Sequence, residues 1–485
     1  MTQIQQTEAA CLLQSGALYR SRVGLVPTSD RAELVFTGFK TGAFSIYFGD
    51  APIYHFDLEG RWQRAYIEPT HFLKGLDGRV HAIDRVREGA NLVLKRRILS
   101  QQEVAELDLQ VREVALDLIR ELDAGRLDRQ DPPADKAQPL AIGPLRDFLT
   151  RIAAWDAAAW DAHRARYQAI YGPLPWLPPD SQNAVVLQAT LGDARGVRFG
   201  LGQASAHAVR SPVEFADHVR AVSELNGRRL LQSRVVFLAG SDVLRLPIED
   251  VNSYLEIIAQ TFSIGPRIKG QGNRPDENTP RLEGIHAFLD DFGTLGPDRE
   301  APRGYRQRNL LHVSLGVESG DPDIRARYGK AWSDDDLRTL VADLRAAAIN
   351  LSILTLVGAG GTERSDKHLS ETTRLLLGLG LDRGDTVFLL DERELRDPAS
   401  PDEGNPPSSR PGFPVGSAVR TDPQPMPTVR TAEPTGAMQE AKESVYTCLD
   451  GDAWAAQQER LKQALSPLRE RGVKVLPYSL EKQWG

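Results

Sequence analysis

The chain has 485 residues, of which 41% are hydrophobic and 26% charged, with a formal net charge of -7. That composition is typical of a globular protein with two or three domains, and the acidic balance argues against nucleic acid as a partner while leaving room for a local basic patch. The amino terminus lacks a basic start before an apolar core, and no long apolar run occurs, so we expect a cytoplasmic protein without a membrane partner. The two cysteines, Cys11 and Cys448, argue against a disulfide framework.

Residues 1–130 are predicted to form a β-rich amino-terminal domain that ends in a helix. From residue 31 to about 100, aromatic and β-branched residues are interrupted by glycine, which favours a small antiparallel sheet. Apolar residues at three- and four-residue spacing then predict a helix that begins after Ser100 and ends at Gly125. The aromatic-rich stretch of the sheet is interpreted chiefly as core, with a recognition surface as the alternative, for the residues Tyr54, His55, Asp57, Arg61 and Trp62.

Residues 131–182 are predicted to be a helical connector. Its main helix should cover roughly residues 141 to 170, where the prolines of YGPLPWLPPD end it.

Residues 183–395 alternate short apolar runs with amphipathic helices. The runs are NAVVLQATLG, SRVVFLAGSD, GIHAFLDDF, LLHVSLGVESG, LSILTLVGAGG and DTVFLLDERE. Buried strands separated by helices predict βαβ units and a parallel sheet, and with a seventh strand in VKVLPYSL we expect a complete or partial barrel. The proline-rich residues 396–440 are predicted to be a disordered insertion, and residues 441–485 a final helix (452 to 471) and the last strand.

Small and acidic residues follow several of these strands, at the end where α/β proteins place their ligands. The glycines would let a ligand approach backbone N–H groups, and the acids would suit hydroxyl or ammonium groups. Ordinary turns and helix caps explain the same residues, so both interpretations stay open. The residues concerned are Gly240, Ser241, Asp242, Glu318, Ser319, Gly358, Gly360 and Gly361.

The AGSD, GVESGD…RYGK and LVGAGG segments, in this order and spacing, resemble the radical S-adenosylmethionine superfamily, in particular its coproporphyrinogen-oxidase-like and elongator-like branch. The resemblance covers roughly residues 183 to 395. It implies a partial TIM barrel, with S-adenosylmethionine as a small-molecule ligand held by the glycine and acidic residues named above.

The loop TLGDARGVRFGLGQ departs from that family at its defining feature. In the family a C-x3-C-x2-C or C-x4-C-x2-C loop after the first strand binds a four-iron cluster. The alignment places Asp193, Arg198 and Leu201 at the cysteine positions, and neither a guanidinium group nor a leucine side chain binds iron. We therefore expect a degenerate member without an iron–sulfur cluster.

Acidic residues at strand ends open a different class of function. These residues could hold a divalent cation or act as an acid/base pair, although solvated acids or ion pairs explain them as well. They are Asp290, Asp291, Asp391, Glu392 and Glu394, and the candidate catalytic residues are Asp291, Glu318 and Asp391. Three hypotheses result: a nucleoside-binding, regulatory or partner subunit that uses a protein partner; an enzyme with non-radical chemistry; or a radical enzyme whose cluster has unusual ligands.

Overall fold

The computed structural model describes residues 17–21, 34–40, 42–88, 91–130, 142–172, 174, 177–192, 207–240, 242–265, 281–292, 300–395, 449 and 451–478. Within these residues the chain forms one antiparallel sheet of nine strands and one parallel sheet of seven. The predicted mixed α/β architecture with a β-rich amino-terminal part is confirmed. The predicted insertion at 396–440 lies outside the described residues.

The antiparallel sheet is a meander in which β2 to β8 pair consecutively and β1 joins β2 to β9. One of its faces packs against helices and buries Phe44, Phe56 and Trp62, since alternate residues of a strand point to opposite faces. Its strands are β1 (Ala17–Ser21), β2 (Leu34–Lys40), β3 (Ala43–Phe48), β4 (Ile53–Asp57), β5 (Trp62–Ile67), β6 (Thr70–Lys74), β7 (Val80–Glu88), β8 (Asn91–Ile98) and β9 (Leu127–Gln130).

Three helices follow: α1 (Gln101–Asp123), α2 (Ile142–Ala153) and α3 (Ala157–Tyr171). Helix α1 starts at the predicted position, with Ser100 and Glu103 forming a reciprocal capping box. The single helix predicted over 141–170 is wrong, because Asp156 accepts from the N–H of Ala159 and begins a new helix. Helix α2 packs into the core of the antiparallel sheet, whereas the end of α3 packs with the parallel sheet.

The parallel sheet joins seven strands in the order β10, β13, β16, β17, β18, β19, β20. All seven coincide with predicted apolar runs. These runs are rich in β-branched residues and leucine, as expected for strands that are buried on both faces of a parallel sheet. They are β10 (Ala184–Gln188), β13 (Val235–Ala239), β16 (Ile285–Leu289), β17 (Leu310–Glu318), β18 (Asn350–Val357), β19 (Thr386–Asp391) and β20 (Lys474–Tyr478); short pairs are formed by β11 (Thr190–Leu191) with β12 (Ala208–Val209) and by β14 (Ser263–Ile264) with β15 (Arg281–Leu282).

Helices connect these strands and cover one face of the sheet. They are α4 (Pro212–Asn226), α5 (Ile248–Thr261), α6 (Ala301–Gln307), α7 (Pro322–Arg327), α8 (Asp334–Ala346), α9 (Gly361–Leu377), α10 (Glu392–Leu395), α11 (Gly451–Ala464) and α12 (Ser466–Glu470). The final helix predicted over 452–471 is divided at Leu465, since Pro467 interrupts the backbone hydrogen bonds.

The sequential strand order is that of a singly wound sheet. In the described part of the chain β10 pairs only with β13, and β20 only with β19, so closure into a barrel stays a prediction.

The face of the parallel sheet opposite the helices is polar at its amino-terminal end. There Asp180, just before β10, accepts from His312 Nε2 at 2.7 Å, and Ser181 contacts His286 Nδ1 at 3.2 Å. Burial would raise the pKa of Asp180, but hydrogen bonds and charge from His312 lower it to about 2. This pairing fixes the chain before β10 across the middle strands.

An arginine joins the two sheets. Arg61 is 4% exposed, pairs with Asp57, and donates to the carbonyls of Leu225 and Asn226 at 2.7 and 2.6 Å. These carbonyls lie at the carboxyl end of α4, where a helix has unpaired acceptors and a negative dipole end. The arginine therefore caps a helix of one sheet from the core of the other.

Candidate functional site at the carboxyl ends of the parallel strands

The first strand ends in two buried polar side chains without partners. Gln188 and Thr190 are each 2% exposed, and Gln188 Oε1 and Thr190 Oγ1 make no hydrogen bond in the part of the chain that the structure describes. Strand register puts Gln188 on the face opposite the helices. A buried polar atom without a partner costs about 1–3 kcal/mol, so these two atoms are suited to receive a ligand's hydrogen bonds.

The next strand ends in a loop that requires glycine. Gly240 has φ of +137°, and a Cβ there would lie 2.2 Å from Thr190 Oγ1. The backbone of Asp242 has a left-handed conformation, with φ of +46°. Its carboxylate accepts hydrogen bonds from the N–H groups of Asp290 and Asp291 at 2.7 and 3.0 Å. The carboxylate of Asp242 thus holds the ends of β13 and β16 together.

A buried lysine lies between the third and fourth strands. Lys330, which follows α7, pairs with Asp290 and with Glu318 Oε2, the latter at 2.9 Å, and donates to the carbonyl of Gly316 at 3.1 Å. Burial alone would lower the pKa of Lys330, but the two carboxylates raise it. The ammonium group therefore stays charged between the two carboxylates. We call Asp290, Glu318 and Lys330 the Lys330 cluster.

The backbone at Glu318 is strained. Its φ of +54° lies in the left-handed region, and the pairing of β17 with β18 shifts register between Gly316 and Glu318. Such conformations cost about 1–3 kcal/mol in non-glycine residues and concentrate at functional sites. The shift turns the carboxylate of Glu318 towards Lys330.

Ser319 points away from that cluster. It is fully buried, and its hydroxyl contacts His368 Nδ1 at 2.8 Å while His368 Nε2 contacts the carbonyl of Leu356 at 2.9 Å. Burial lowers the pKa of His368 to about 4, so the ring is neutral, with its proton on Nε2 and Nδ1 accepting from Ser319. Ser319 thus joins the β17 loop to α9.

The fifth strand leads into α9 through three left-handed glycines. Gly358, Gly360 and Gly361 have φ of +96°, +82° and +59°, which side chains rarely adopt. The N–H of Gly358 donates to Gln457 Oε1 of α11 at 2.6 Å. This loop therefore places the amino end of α9, with its positive dipole end, at the same edge of the sheet.

The sixth strand ends in two acids with different partners. Asp391 forms a bidentate ion pair with Arg393. Glu392 is 2% exposed and accepts a hydrogen bond from the hydroxyl of Tyr328. Because Tyr328 follows α7, this contact brings the end of β19 against the segment that carries Lys330.

The three predicted catalytic acids have separate cationic partners. Asp291 pairs with Arg245, Glu318 with Lys330 and Asp391 with Arg393. No group of three or more histidine, cysteine or acidic residues is arranged to hold a metal within the described ranges. Ser241 and the loop residues Asp193, Arg198 and Leu201 lie outside the described residues, while the remaining predicted ligand residues lie at strand ends of one sheet.

Sequence reasoning missed three residues that the tertiary structure adds to this edge, Gln188, Thr190 and Lys330, whereas Asp290 was among the strand-end acids that the sequence indicated. The RYGK segment contained Lys330, but nothing in its spacing showed which carboxylates it would meet. Gln188 and Thr190 lie in the run NAVVLQATLG, whose apolar residues predict a strand but do not indicate a role for its polar residues.

No model of a known protein family matches the chain, and no curated protein does. Among solved structures, the radical S-adenosylmethionine methyltransferase TsrM from Kitasatospora setae is 13% identical over 42% of this chain and 36% of its own, with a TM-score of 0.30. The chain therefore spans little more than a third of that enzyme.

Two further structures are similar over different lengths. SuiB from Streptococcus suis, bound to S-adenosylmethionine, is 10% identical over 85% of this chain and 71% of its own, with a TM-score of 0.32. Coproporphyrinogen III oxidase (HemN) from Escherichia coli, a radical S-adenosylmethionine enzyme, is 11% identical over 46% and 52%, with a TM-score of 0.28. At TM-scores this low, the fold rests on the strands and their pairing.

Among the helices of the described residues, none is long and apolar enough to cross a membrane.

Proposed function

We propose that the protein binds S-adenosylmethionine or a related nucleoside at the carboxyl ends of the parallel strands, as a binding or regulatory subunit that acts with a protein partner. The observation that carries the proposal is the pair of buried, unpartnered acceptors, Gln188 Oε1 and Thr190 Oγ1, beside Gly240. Hydrogen-bond donors of a bound ligand would satisfy both atoms.

The charges at this edge suit such a ligand. The Lys330 cluster contributes two carboxylates, and Asp242 adds a third. An amino acid's ammonium group, a sulfonium and ribose hydroxyls are all compatible with carboxylate acceptors. The amino end of α9 offers the opposite potential for a carboxylate.

A four-iron cluster does not fit the donor set of this chain. Such a cluster takes cysteine thiolates, and the sequence contains two, Cys11 and Cys448. No step of the proposed function passes through a cluster. Chemistry by Asp291, Glu318 and Asp391 acting together is not proposed either, since each has its own cationic partner.

Titration calorimetry with S-adenosylmethionine and S-adenosylhomocysteine tests the proposal. We expect binding of at least one of them, and Gln188→Leu should weaken it about tenfold, because a ligand would lose one hydrogen bond. Gln63→Leu is the matched control: it removes an amide whose Nε2 is also buried and unpaired, but in the antiparallel sheet. Absence of heat with both ligands, or equal loss in both variants, would contradict the proposal.

Anaerobic reconstitution with iron and sulfide separates this proposal from a radical enzyme. We expect a colourless protein with no stoichiometric iron. A brown protein with about four irons per chain would replace the proposal with unusual cluster ligation.

A further inference from the structure

One arginine at the junction of the two sheets has no partner. Arg229 lies in the short 3-10 helix Gly227–Gln232, which follows α4. This helix contacts the antiparallel sheet, since Arg228 Nε donates to Glu59 Oε1 at 3.0 Å and Gln232 Nε2 donates to the carbonyl of Gly42 at 2.7 Å. Within the described residues the guanidinium group of Arg229 forms neither a hydrogen bond nor an ion pair. The side chain is partly exposed, and burial lowers the pKa of Arg229, but a guanidinium group keeps its charge at any ordinary pH.

The other charged side chains near Arg229 form ion pairs with one another. These pairs are Arg61–Asp57, Arg79–Asp77, Lys74–Asp108 and Arg228–Glu59. The charge of Asp57 reaches Arg229, but the carboxylate of Asp57 already accepts from the N–H groups of Glu59 and Arg61 and from Arg61 Nε. Arg229 is therefore the cation that none of these pairs uses, and a charge removed from water without a paired opposite charge is costly.

A tyrosine hydroxyl near Arg229 is also without a partner. Tyr167 lies on α3, is 7% exposed, and packs its ring against that of Tyr171 with centroids 5.0 Å apart. The hydroxyl of Tyr171 donates to the carbonyl of Val186 at 3.1 Å, whereas the hydroxyl of Tyr167 makes no hydrogen bond within the described residues. Burial raises the pKa of Tyr167 and Arg229 opposes that rise, so the two groups lie close to each other. Solvent reaches the polar atoms of both, because neither belongs to the unpaired atoms that the protein encloses.

These two groups together suit an oxyanion. A guanidinium group presents parallel N–H donors that match a carboxylate or a phosphate, and the phenol of Tyr167 adds an O–H donor. An anion would also supply the counterion that Arg229 lacks, in surroundings where partial burial strengthens the attraction.

We propose that Arg229 and Tyr167 bind a small oxyanion, a phosphate or a carboxylate group, at the junction of the two sheets. The 3-10 helix that carries Arg229 leads into the amino end of β13, so the site lies at the edge of the parallel sheet opposite to the proposed nucleoside site and does not depend on it. A bound anion joins α3 to the segment after α4 and so stabilises the contact between the two sheets.

Thermal unfolding of the full chain in millimolar inorganic phosphate or acetate tests the proposal. A ligand that binds only the folded protein raises the melting temperature, so we expect a rise that saturates with the concentration of the anion. Sodium chloride at the same ionic strength should give no such rise. A rise with phosphate alone assigns a phosphate group to the site, and a rise with acetate alone assigns a carboxylate.

Three variants separate this site from general effects of salt. Arg229→Gln should weaken binding of the anion about tenfold or more, because charge-assisted hydrogen bonds are lost. Without the anion its melting temperature should equal or exceed that of the parent, since an unpaired charge is removed. Tyr167→Phe should weaken binding about fivefold through loss of one hydroxyl. The matched control is Arg220→Gln, which removes an exposed arginine that pairs with Asp217 on α4, and it should bind like the parent.

Three outcomes would overturn the proposal. The first is a melting temperature that neither anion raises, and the second is an equal rise in the parent and in Arg229→Gln. The third is a large loss of stability in Arg229→Gln without any anion, which would show that the arginine has a structural role in the protein alone. Since S-adenosylmethionine is absent from this experiment, failure of the proposed function would leave its result unchanged.

Discussion

Two buried lysines, Lys74 in the antiparallel sheet and Lys330 beside the parallel sheet, show how neighbouring charges decide the pKa of the same side chain. The side chain of Lys74 is 0% exposed, forms its ion pair with Asp108 among the described residues, and places its Nζ 3.4 Å from the ring centroid of Trp160. Lys330 is 1% exposed and has two carboxylates and a carbonyl. Burial, reinforced by Arg164, lowers the pKa of Lys74 to about 8 against the opposing charges of Asp108 and the more weakly coupled Asp77. At Lys330 two directly paired carboxylates outweigh burial and raise the pKa.

The difference separates a structural ion pair from a candidate site. At Lys74 one ammonium group pairs with one carboxylate, that of Asp108. Trp62 Nε1 donates to the same carboxylate at 2.6 Å, so this ion pair is completed by residues of the protein itself. At Lys330 the ammonium group lies between two carboxylates, one of them on the strained residue Glu318, at the edge where α/β sheets generally place ligands. We therefore expect the two regions to respond differently to the same substitutions.

The largest effect is expected from Lys330→Met. It leaves Asp290 and Glu318 buried without their cation, which should lower the free energy of unfolding by about 3–5 kcal/mol. Urea denaturation measures the loss. Adding Asp290→Asn and Glu318→Gln should restore much of it, because the uncompensated charges are then gone; a triple variant as unstable as the single one would contradict this explanation.

Titration of Lys74 should change the free energy of unfolding by somewhat less than Lys330→Met does, and it should raise this free energy. Its pKa is lower folded than unfolded, so between pH 8 and about 10.5 the unfolded chain binds more protons and stability rises with pH. The rise contributed by this group is roughly 3 kcal/mol. Comparing denaturation of the parent and Lys74→Met across this range isolates it, and parallel curves would show that Lys74 titrates normally.

Removing one carboxylate from each group sharpens the comparison. Asp108→Asn should lower the pKa of Lys74 further and favour its neutral form at neutral pH, whereas Glu318→Gln should leave Lys330 charged through Asp290. Side-chain nitrogen chemical shifts of the two lysines report the charge. A neutral Lys330 in Glu318→Gln would show that the second carboxylate is essential.

The smallest effect is expected from Trp62→Phe. It deletes the N–H that donates to Asp108 and leaves the pairing with Lys74, so we expect a loss of about 1–2 kcal/mol, with the pH dependence of Lys74 retained. Thermal unfolding at two pH values checks both parts. A loss as large as that of Lys330→Met would mean that the two regions are equally strained.

The recognition surface considered for the amino-terminal domain illustrates the limit of local patterns. Of the five residues considered, only His55 is not buried; the others, Tyr54, Asp57, Arg61 and Trp62, are at most 4% exposed. Alternation predicts that neighbours point to opposite faces, but it does not say which face a helix will cover. That choice followed from the packing of α1 and α2.

The sequence by itself determined the elements: seven buried strands, their intervening helices and the capped start of α1 follow from local periodicity and end signals. It also placed glycines and acids after the strands. Tertiary structure alone decided which charges meet, because Lys330, Asp290 and Glu318 come from separate strands and loops and approach only once the sheet is assembled. Contacts between distant residues depend on register and packing, which no short stretch of sequence contains.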